Sequence, residues 1–250
     1  MSGSPQTFRA LHERPGAFVI PNPWDVGSAR ILAALGFEAL ATTSAGLAFS
    51  LGLVEGGVSR EDTLAHCRAI VSATSLPVSA DLEKGFGDTP EAAAAAGLAG
   101  CSIEDHTGRR DHPIFSFDLA VERIAAAVDA ARSLPRDFVL TARCENLLWG
   151  RPNLDEVLKR LEAYETAGAD VLYAPGLKAL DAIRAVCRAV SRPVNVVMGL
   201  PGATFTVGEL AEAGVKRISV GSALARLAYG TFVKAAREIR SEGTFRFSDE

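Results

Sequence analysis

The chain has 250 residues, 48% hydrophobic and 22% charged, with a formal net charge of −4. That balance supplies ample core for one large domain and lacks the basic excess that nucleic acid or an anionic membrane would attract. No apolar run is long enough to span a bilayer, Met1 to Pro15 lacks a signal-type apolar stretch, and Cys67, Cys101, Cys144 and Cys187 form no C-x-x-C pair; a cytoplasmic location with no disulfide framework is expected.

In chain order, a β-rich run at 17–20 (AFVI) precedes a helical pattern near 25–35, and a run at 38–42 (EALAT) precedes one near 60–74. Further runs follow at 77–82, 100–105, 138–144, 170–175, 193–199 and 217–221, with helices near 90–97, 118–133, 154–167, 179–190, 206–213 and 222–240. Apolar strands alternating with amphipathic helices predict a parallel sheet covered by helices. Eight βα units in a chain of this length predict a single α/β domain, a (β/α)₈ TIM-type barrel over residues 1–240 with a short tail at 241–250. Gly97, Gly168 and Gly214 each follow a helical alanine-containing segment and are expected to close those helices in the left-handed conformation.

A barrel of this kind places its chemistry where the strands end. The third run ends Asp81-Leu82-Glu83, the fourth Glu104-Asp105 and the fifth Arg143-Cys144-Glu145. Alternation along a strand puts Asp81 with Glu83 and Arg143 with Glu145 on shared faces, so four carboxylates and an arginine converge on one mouth. Clustered carboxylates repel unless a cation lies among them, and a set of hard oxygens suits Mg²⁺, with Mn²⁺ as a substitute. Asp81 is expected to bind it directly, Glu83 and Glu104 (with Glu145 as a further candidate) through water. Arg143 offers a planar fork for a substrate carboxylate. The alternative is a set of solvated strand-end charges with local salt bridges. The turn Thr42-Thr43-Ser44-Ala45-Gly46-Leu47 can present N–H groups and a hydroxyl to an oxyanion, or serve only as a tight βα turn. Asp25 is read as a helix cap. Cys144 should point away from the mouth as a buried thiol, and Val220-Gly221-Ser222 is read as a helix cap rather than a phosphate site.

The segments PNPWDVGSARILAALGFEAL, TTSAGLAFSLG, ADLEKGFGD, SIEDH, TARCEN and YETAGADVLYAPG, in this order, resemble the isocitrate lyase/phosphoenolpyruvate mutase superfamily over nearly the whole chain. The resemblance implies Asp81 as the direct Mg²⁺ ligand, with Glu83 and Glu104 binding through water. It also implies Ser44, Ala45 and Gly46 as the cradle for carboxylate and enolate oxygens, Arg143 and Asn195 as substrate contacts, and Glu55 as an acid near the site. Lyases of the family carry a K-[KR]-C-G-H loop whose cysteine is the catalytic acid; here the loop reads His106-Thr107-Gly108-Arg109-Arg110-Asp111-His112-Pro113. Thr42 replaces the usual aromatic residue, and Ala174-Pro175-Gly176 replaces the histidine or glutamate after the sixth strand. His106 and His112 are candidates for the missing acid, or plain loop residues.

The expected function is a Mg²⁺-dependent lyase or decarboxylase acting on a small oxaloacetate-like 2-oxo or 2-hydroxy dicarboxylate, with Arg143, Glu104, Ser44 and His106 in catalytic roles. The alternatives are a phosphonopyruvate- or phosphoenolpyruvate-type mutase or hydrolase, and a non-catalytic 2-oxo acid binding protein. The expected partners are a small carboxylate and a second copy of the chain, with no nucleic acid and no membrane. A dimer is favoured over a tetramer because the tail 241–250, with Gly243 and alternating Phe245 and Phe247, is too short for a long exchanged helix and is expected to be extended.

Overall fold

The computed structural model describes residues 7–86, 89–199, 201–202 and 204–249. All eight expected strands are present: β1 (Phe18–Ile20), β2 (Leu40–Ala41), β3 (Val78–Asp81), β4 (Gly100–Glu104), β5 (Val139–Arg143), β6 (Val171–Tyr173), β7 (Val194–Val197) and β8 (Arg217–Ser219). They form one parallel sheet in the order β1-β8-β7-β6-β5-β4-β3-β2. The Ala41 N–H donates to the Pro21 carbonyl at 3.1 Å and Asn22 Nδ2 to the Thr42 carbonyl at 2.9 Å, which draws the remaining β1/β2 seam together into a barrel.

The eight expected helices also form: α2 (Val26–Ala34), α4 (Arg60–Ala73), α5 (Thr89–Ala95), α6 (Phe117–Arg132), α7 (Leu154–Thr166), α8 (Leu180–Ala189), α9 (Val207–Glu212) and α10 (Ala223–Glu242). Asp25 caps α2 as expected, in a reciprocal box with Ser28. Gly97, Gly168 and Gly214 all have positive φ, the conformation expected of helix-closing glycines. Two helices were not expected. One is α1 (Phe8–Glu13), which buries Phe8, Leu11 and His12; the other is α3 (Ser44–Ser50), which starts within the predicted oxyanion turn. Both are too short for a 3.6-residue period to stand out in sequence.

Strand faces divide the core in two. Leu40, Ala80, Cys101, Leu140, Leu172, Val196 and Ile218 point outward into the main cluster with the helices. Phe18, Ile20, Ala39, Val139 and Val171 point inward and form a second cluster with Phe8 and Leu11 of α1, which closes the N-terminal end of the barrel. Above that apolar floor the interior turns polar, with Ser79, Thr141, Asn195, Arg217 and Ser219 all buried. Cys144 is fully buried on the outer side, as alternation required.

The last helix departs from the barrel pattern. Of the 20 residues of α10 only Ala225 is buried, and Leu227 and Phe232 are each 68% exposed. Gly243 ends α10 in the left-handed conformation. The tail is not extended: Arg246–Asp249 form a 3₁₀ turn, because the Glu238 carboxylate accepts from Thr244 Oγ1 at 2.6 Å and from the Arg246 N–H at 2.7 Å. Phe245 and Phe247 remain exposed. Among the described residues no helix is long and apolar enough to cross a membrane.

One ion cluster ties α1, α6 and the β5/β6 edge together. Asp170 Oδ1 accepts from Arg9 at 2.8 Å and Arg132 at 2.7 Å, while Oδ2 accepts from the Leu140 N–H at 2.8 Å. Burial by itself would raise the Asp170 carboxyl, but the bonds from Arg132, Arg9 and Leu140 outweigh it and hold its pKa below the ordinary value. A carboxyl lowered in the folded state adds stability that is complete above its unfolded pKa and is lost as pH falls through the folded one. Asp170→Asn is therefore expected to cost about 2 kcal/mol at pH 7. It should also flatten the decline of stability below the ordinary carboxylate range. Urea titrations from pH 7 down to pH 3 check both; an unchanged acid slope would remove Asp170 from the account.

Candidate active site

Strand ends bring the acids and the arginine together as expected. Arg143, ending β5, lies 2.5 Å from Glu145 Oε1 and 3.3 Å from Glu104 Oε2 through Nε, and 3.5 Å from Asp81 Oδ1 through Nη1. Its guanidinium centre stands 5.2 Å from the centre of the Tyr173 ring. Burial opposes the charge on Arg143, but Glu104 and Glu145 raise its pKa well above the usual value. Arg143 separates two spaces. Outside it a mouth of about 420 Å³ is lined by Ser44, Glu55, Glu83, Glu104, His106 and Trp149 among others. Inside, a cavity of about 50 Å³ reaches Asp81, Asn195 and Arg217.

Burial shapes the titration of these acids. Burial first, against the favourable pull of Arg143, pushes Glu104 up to about 7. Burial and the neighbouring Asp81 charge also raise Glu83. Among the described residues no three acid, histidine or cysteine side chains stand close enough to ligate one ion together. Asp81, Glu83 and Glu104 nonetheless offer hard carboxylate oxygens of the type Mg²⁺ takes, an ion that uses one or two carboxylates and completes its shell with water. Gly87 and Asp88, which end the ADLEKGFGD segment, lie outside the described residues. Glu83 breaks the strand alternation: its φ of 51° is the single positive value of a non-glycine residue among those described. Its carbonyl accepts from the Glu104 N–H at 2.9 Å, which anchors this sterically costly conformation beside β4.

The Ser44–Gly46 segment is the first turn of α3 rather than an open loop. Ser44 donates to Asp81 Oδ2 through Oγ at 2.9 Å and through its N–H at 3.3 Å, and the Gly46 N–H donates to Thr43 Oγ1 at 3.2 Å. Three of the expected oxyanion donors are thus occupied by protein acceptors. A Cβ on Gly46 would meet Thr43 Cγ2 at 2.5 Å and Trp24 Cβ at 2.9 Å, so close packing already requires glycine there. Asn195 is 1% exposed and turned into the barrel: Oδ1 accepts from Arg217 Nε at 2.9 Å and Nδ2 donates to Ser219 Oγ at 3.0 Å. It faces the inner cavity, not the mouth, because strand alternation on β7 directs it into the polar layer.

The two histidines separate. His112 is exposed, and Thr107 Oγ1 donates to its carbonyl. His106 lies in the mouth with Nδ1 3.6 Å from Glu104 Oε1 and its ring stacked on Trp149, centroids 4.2 Å apart and 14° from parallel. Its Nε2 is buried without a partner among the described residues. Trp149 and Leu148, on the 3₁₀ turn Asn146–Trp149 after β5, escaped the sequence reading; the signal was their place in a βα loop at the strand's C-terminal end.

A clamp behind the mouth was also missed. Buried Asp105 accepts from the Glu145 N–H at 2.7 Å through Oδ1, and from Tyr164 at 2.7 Å and Arg160 at 3.1 Å through Oδ2. Arg160 also donates to the Phe115 carbonyl at 2.9 Å, and Phe115 pairs back to the Asp105 carbonyl. The loop carrying His106 is therefore pinned at its base. At β8 the Val220 and Gly221 N–H groups both donate to Asn22 Oδ1 at 2.9 Å. The site considered for phosphate is thus filled by Asn22, while Ser222 makes no side-chain cap bond.

Similarity to known proteins agrees with this geometry. The phosphoenolpyruvate phosphomutase family model matches residues 8–240. The 2-methylisocitrate lyase of Escherichia coli K12 is 33% identical over 227 residues, covering 84% of this chain and 75% of that protein. The crystal structure of a candidate lyase/mutase from Burkholderia cenocepacia J2315 is 61% identical, covers 97% of this chain and 90% of its own, and superposes with a TM-score of 0.94. Oxaloacetate acetylhydrolase, solved with its product oxalate, is 27% identical over 96% of this chain and 88% of its own, with a TM-score of 0.87.

Proposed function

The chain belongs to the isocitrate lyase/phosphoenolpyruvate mutase superfamily, and from that premise we propose that it is a Mg²⁺-dependent lyase or decarboxylase of small oxaloacetate-like 2-oxo or 2-hydroxy dicarboxylates. The superfamily is one of enzymes with lyase members; the reaction and the ion are the proposal. The observation that carries it is the convergence of Asp81, Glu104 and Glu145 on Arg143, which stands between the 420 Å³ mouth and the inner cavity.

Asp81 would hold the ion directly, with Glu83 and Glu104 reaching it through water. The chemistry such an ion supplies is Lewis-acid polarisation of the substrate's 2-oxo group. Arg143 presents its N–H fork to the substrate carboxylate, which displaces contacts now made to Glu104 and Glu145. The Ser44 hydroxyl, released from Asp81, donates to developing enolate charge, with the Ala45 and Gly46 backbone shaping that side. His106 Nε2, buried and without a partner among the described residues, is the group suited to pass a proton within the mouth. Cys144 cannot take the role of a lyase cysteine, because it lies outside the barrel wall and burial raises its pKa. Loss of CO₂ from a β-keto acid needs less proton transfer than aldol cleavage, which suits this equipment. The likeness to oxaloacetate acetylhydrolase makes hydrolytic C–C cleavage the second reading.

A panel of 2-oxo and 2-hydroxy dicarboxylates, phosphonopyruvate included, assayed with Mg²⁺, Mn²⁺ and EDTA tests the reading. Metal-dependent turnover of an oxaloacetate-like member is expected. A ligand-induced rise in melting temperature without turnover of any member would instead establish a non-catalytic binding protein. Arg143→Lys cannot reproduce two parallel N–H···O bonds and should weaken ligand binding at least tenfold, about 1.4 kcal/mol; calorimetric titration checks this, and near wild-type affinity would leave Arg143 as a partner of the acids alone.

The exposed apolar side chains of α10 belong, on the same proposal, to a contact with a second copy of the chain. Beyond its first turn, which packs Leu224 and Ala225 on the barrel, and the contacts of Arg226 and Tyr229 with Phe49, this 20-residue helix leaves its apolar side chains exposed. Light scattering across a concentration series is expected to report a dimer, and a monomer throughout would sink the assignment.

A further inference from the structure

The polar layer inside the barrel contains a charge without a counter-charge. Arg217, at the start of β8, is 5% exposed. Its guanidinium donates to Asn195 Oδ1 at 2.9 Å and Thr141 Oγ1 at 3.0 Å, and Nη1 lies 3.4 Å from His12 Nε2. Every one of these partners is neutral. His12 donates from Nδ1 to the Phe8 carbonyl at 2.9 Å, which leaves Nε2 as an acceptor, and burial first, then the Arg217 charge, pushes its pKa down to about 3. Burial raises the Tyr173 phenol to about 12, so it too stays neutral. No carboxylate pairs with Arg217 among the described residues. The contrast with Arg143 one layer above is plain: that arginine has three acids, this one has none.

A buried cation is costly unless an anion compensates it. Arg217 lines the inner cavity of about 50 Å³ together with Ser79, Ser102, Asn195 and Ser219; the Ser79 and Ser102 hydroxyls can donate hydrogen bonds into it. A water needs roughly 10–15 Å³ of such space, so the cavity has room for a small ion, and Asp81 and Arg143 form its roof. Asp81 is itself engaged upward by Ser44, which leaves the lower part of the cavity to Arg217.

We propose that this inner cavity is a binding site for a small monovalent anion of the halide class, held against Arg217 by the hydroxyl groups of the polar layer. The ion neutralises Arg217 and thereby fixes Asn195 and Ser219 under the floor of the catalytic mouth. It lies beneath the carboxylate site at Arg143, and its existence does not depend on which dicarboxylate the mouth accepts.

The test uses the whole protein dialysed into sodium gluconate, whose anion is too large for the cavity. Chloride or bromide is then titrated in at constant ionic strength while the melting temperature is followed. A saturable rise is expected, and Arg217→Gln, which keeps a polar side chain without the charge, should abolish it. Crystals grown in sodium bromide provide a readout independent of that variant's folding: an anomalous peak within contact distance of the Arg217 guanidinium is expected. Identical non-saturating curves in gluconate and chloride, or only water beside Arg217 in the bromide crystals, would overturn the proposal.

Discussion

Asp81→Ala is expected to abolish Mg²⁺-dependent turnover and Mg²⁺-dependent binding of 2-oxo dicarboxylates while the barrel melts close to the wild-type temperature. Asp81 ends β3 beside Arg143, between the mouth and the inner cavity, where its carboxylate accepts from Ser44 and faces Arg143. As the sole direct protein ligand proposed for the ion, it cannot be replaced by Glu83 or Glu104, which reach the ion only through water. Removing it should lower kcat/KM by about a thousandfold or more, the scale of several kcal/mol of transition-state charge stabilisation. The fold should tolerate the change because Asp81 adds negative charge next to Glu83 and Glu104, whose pKa values it helps to raise. Calorimetry with Mg²⁺ and oxalate, alongside thermal melting, checks both halves. Wild-type affinity in the variant would move the ion to another ligand.

Arg160→Met is expected to produce the largest loss of stability of any single substitution near the site. Arg160 and Asp105 are both buried, and Asp105 carries the ends of β4 and β5, Tyr164 and the base of the His106 loop at once. Removing one partner leaves an unpaired carboxylate in the interior, which typically costs about 3–5 kcal/mol. Tyr164→Phe removes one bond to the same carboxylate and should cost about 1.5–3 kcal/mol. Urea unfolding at unchanged m-value measures both. A loss below about 1 kcal/mol for Arg160→Met would mean that the clamp contributes packing but little electrostatic restraint. Because the Glu145 N–H donates to Asp105, residual folded protein should also show weaker substrate binding.

How far the mouth could be read in sequence depended on distance along the chain. Asp81, Glu104, Arg143 and Glu145 each sit where an apolar run stops, and in a parallel barrel every run stops at the same end. That rule needs only the strand order, so their convergence followed from sequence. The same alternation placed Cys144 outside and buried. The family resemblance pointed Asn195 at the substrate; alternation states which face a side chain takes but not which layer of the barrel it occupies. Layer depends on the stagger between strands, and here Asn195 pairs in register with Arg217 below the mouth.

Composition and periodicity by themselves determined the number of strands, the barrel, the helix-closing glycines and the acidic mouth, because each is encoded by neighbouring residues or by a repeating pattern. The rest required contacts between residues far apart in sequence. The Asp105–Arg160–Tyr164 clamp spans 55 and 59 positions, and the Arg217–His12 contact spans 205. The stacking of His106 on Trp149 joins two different βα loops. Only closure of the sheet brings such residues within bonding distance, and only then can a buried charge be seen to have partners, as Arg143 does, or to lack them, as Arg217 does.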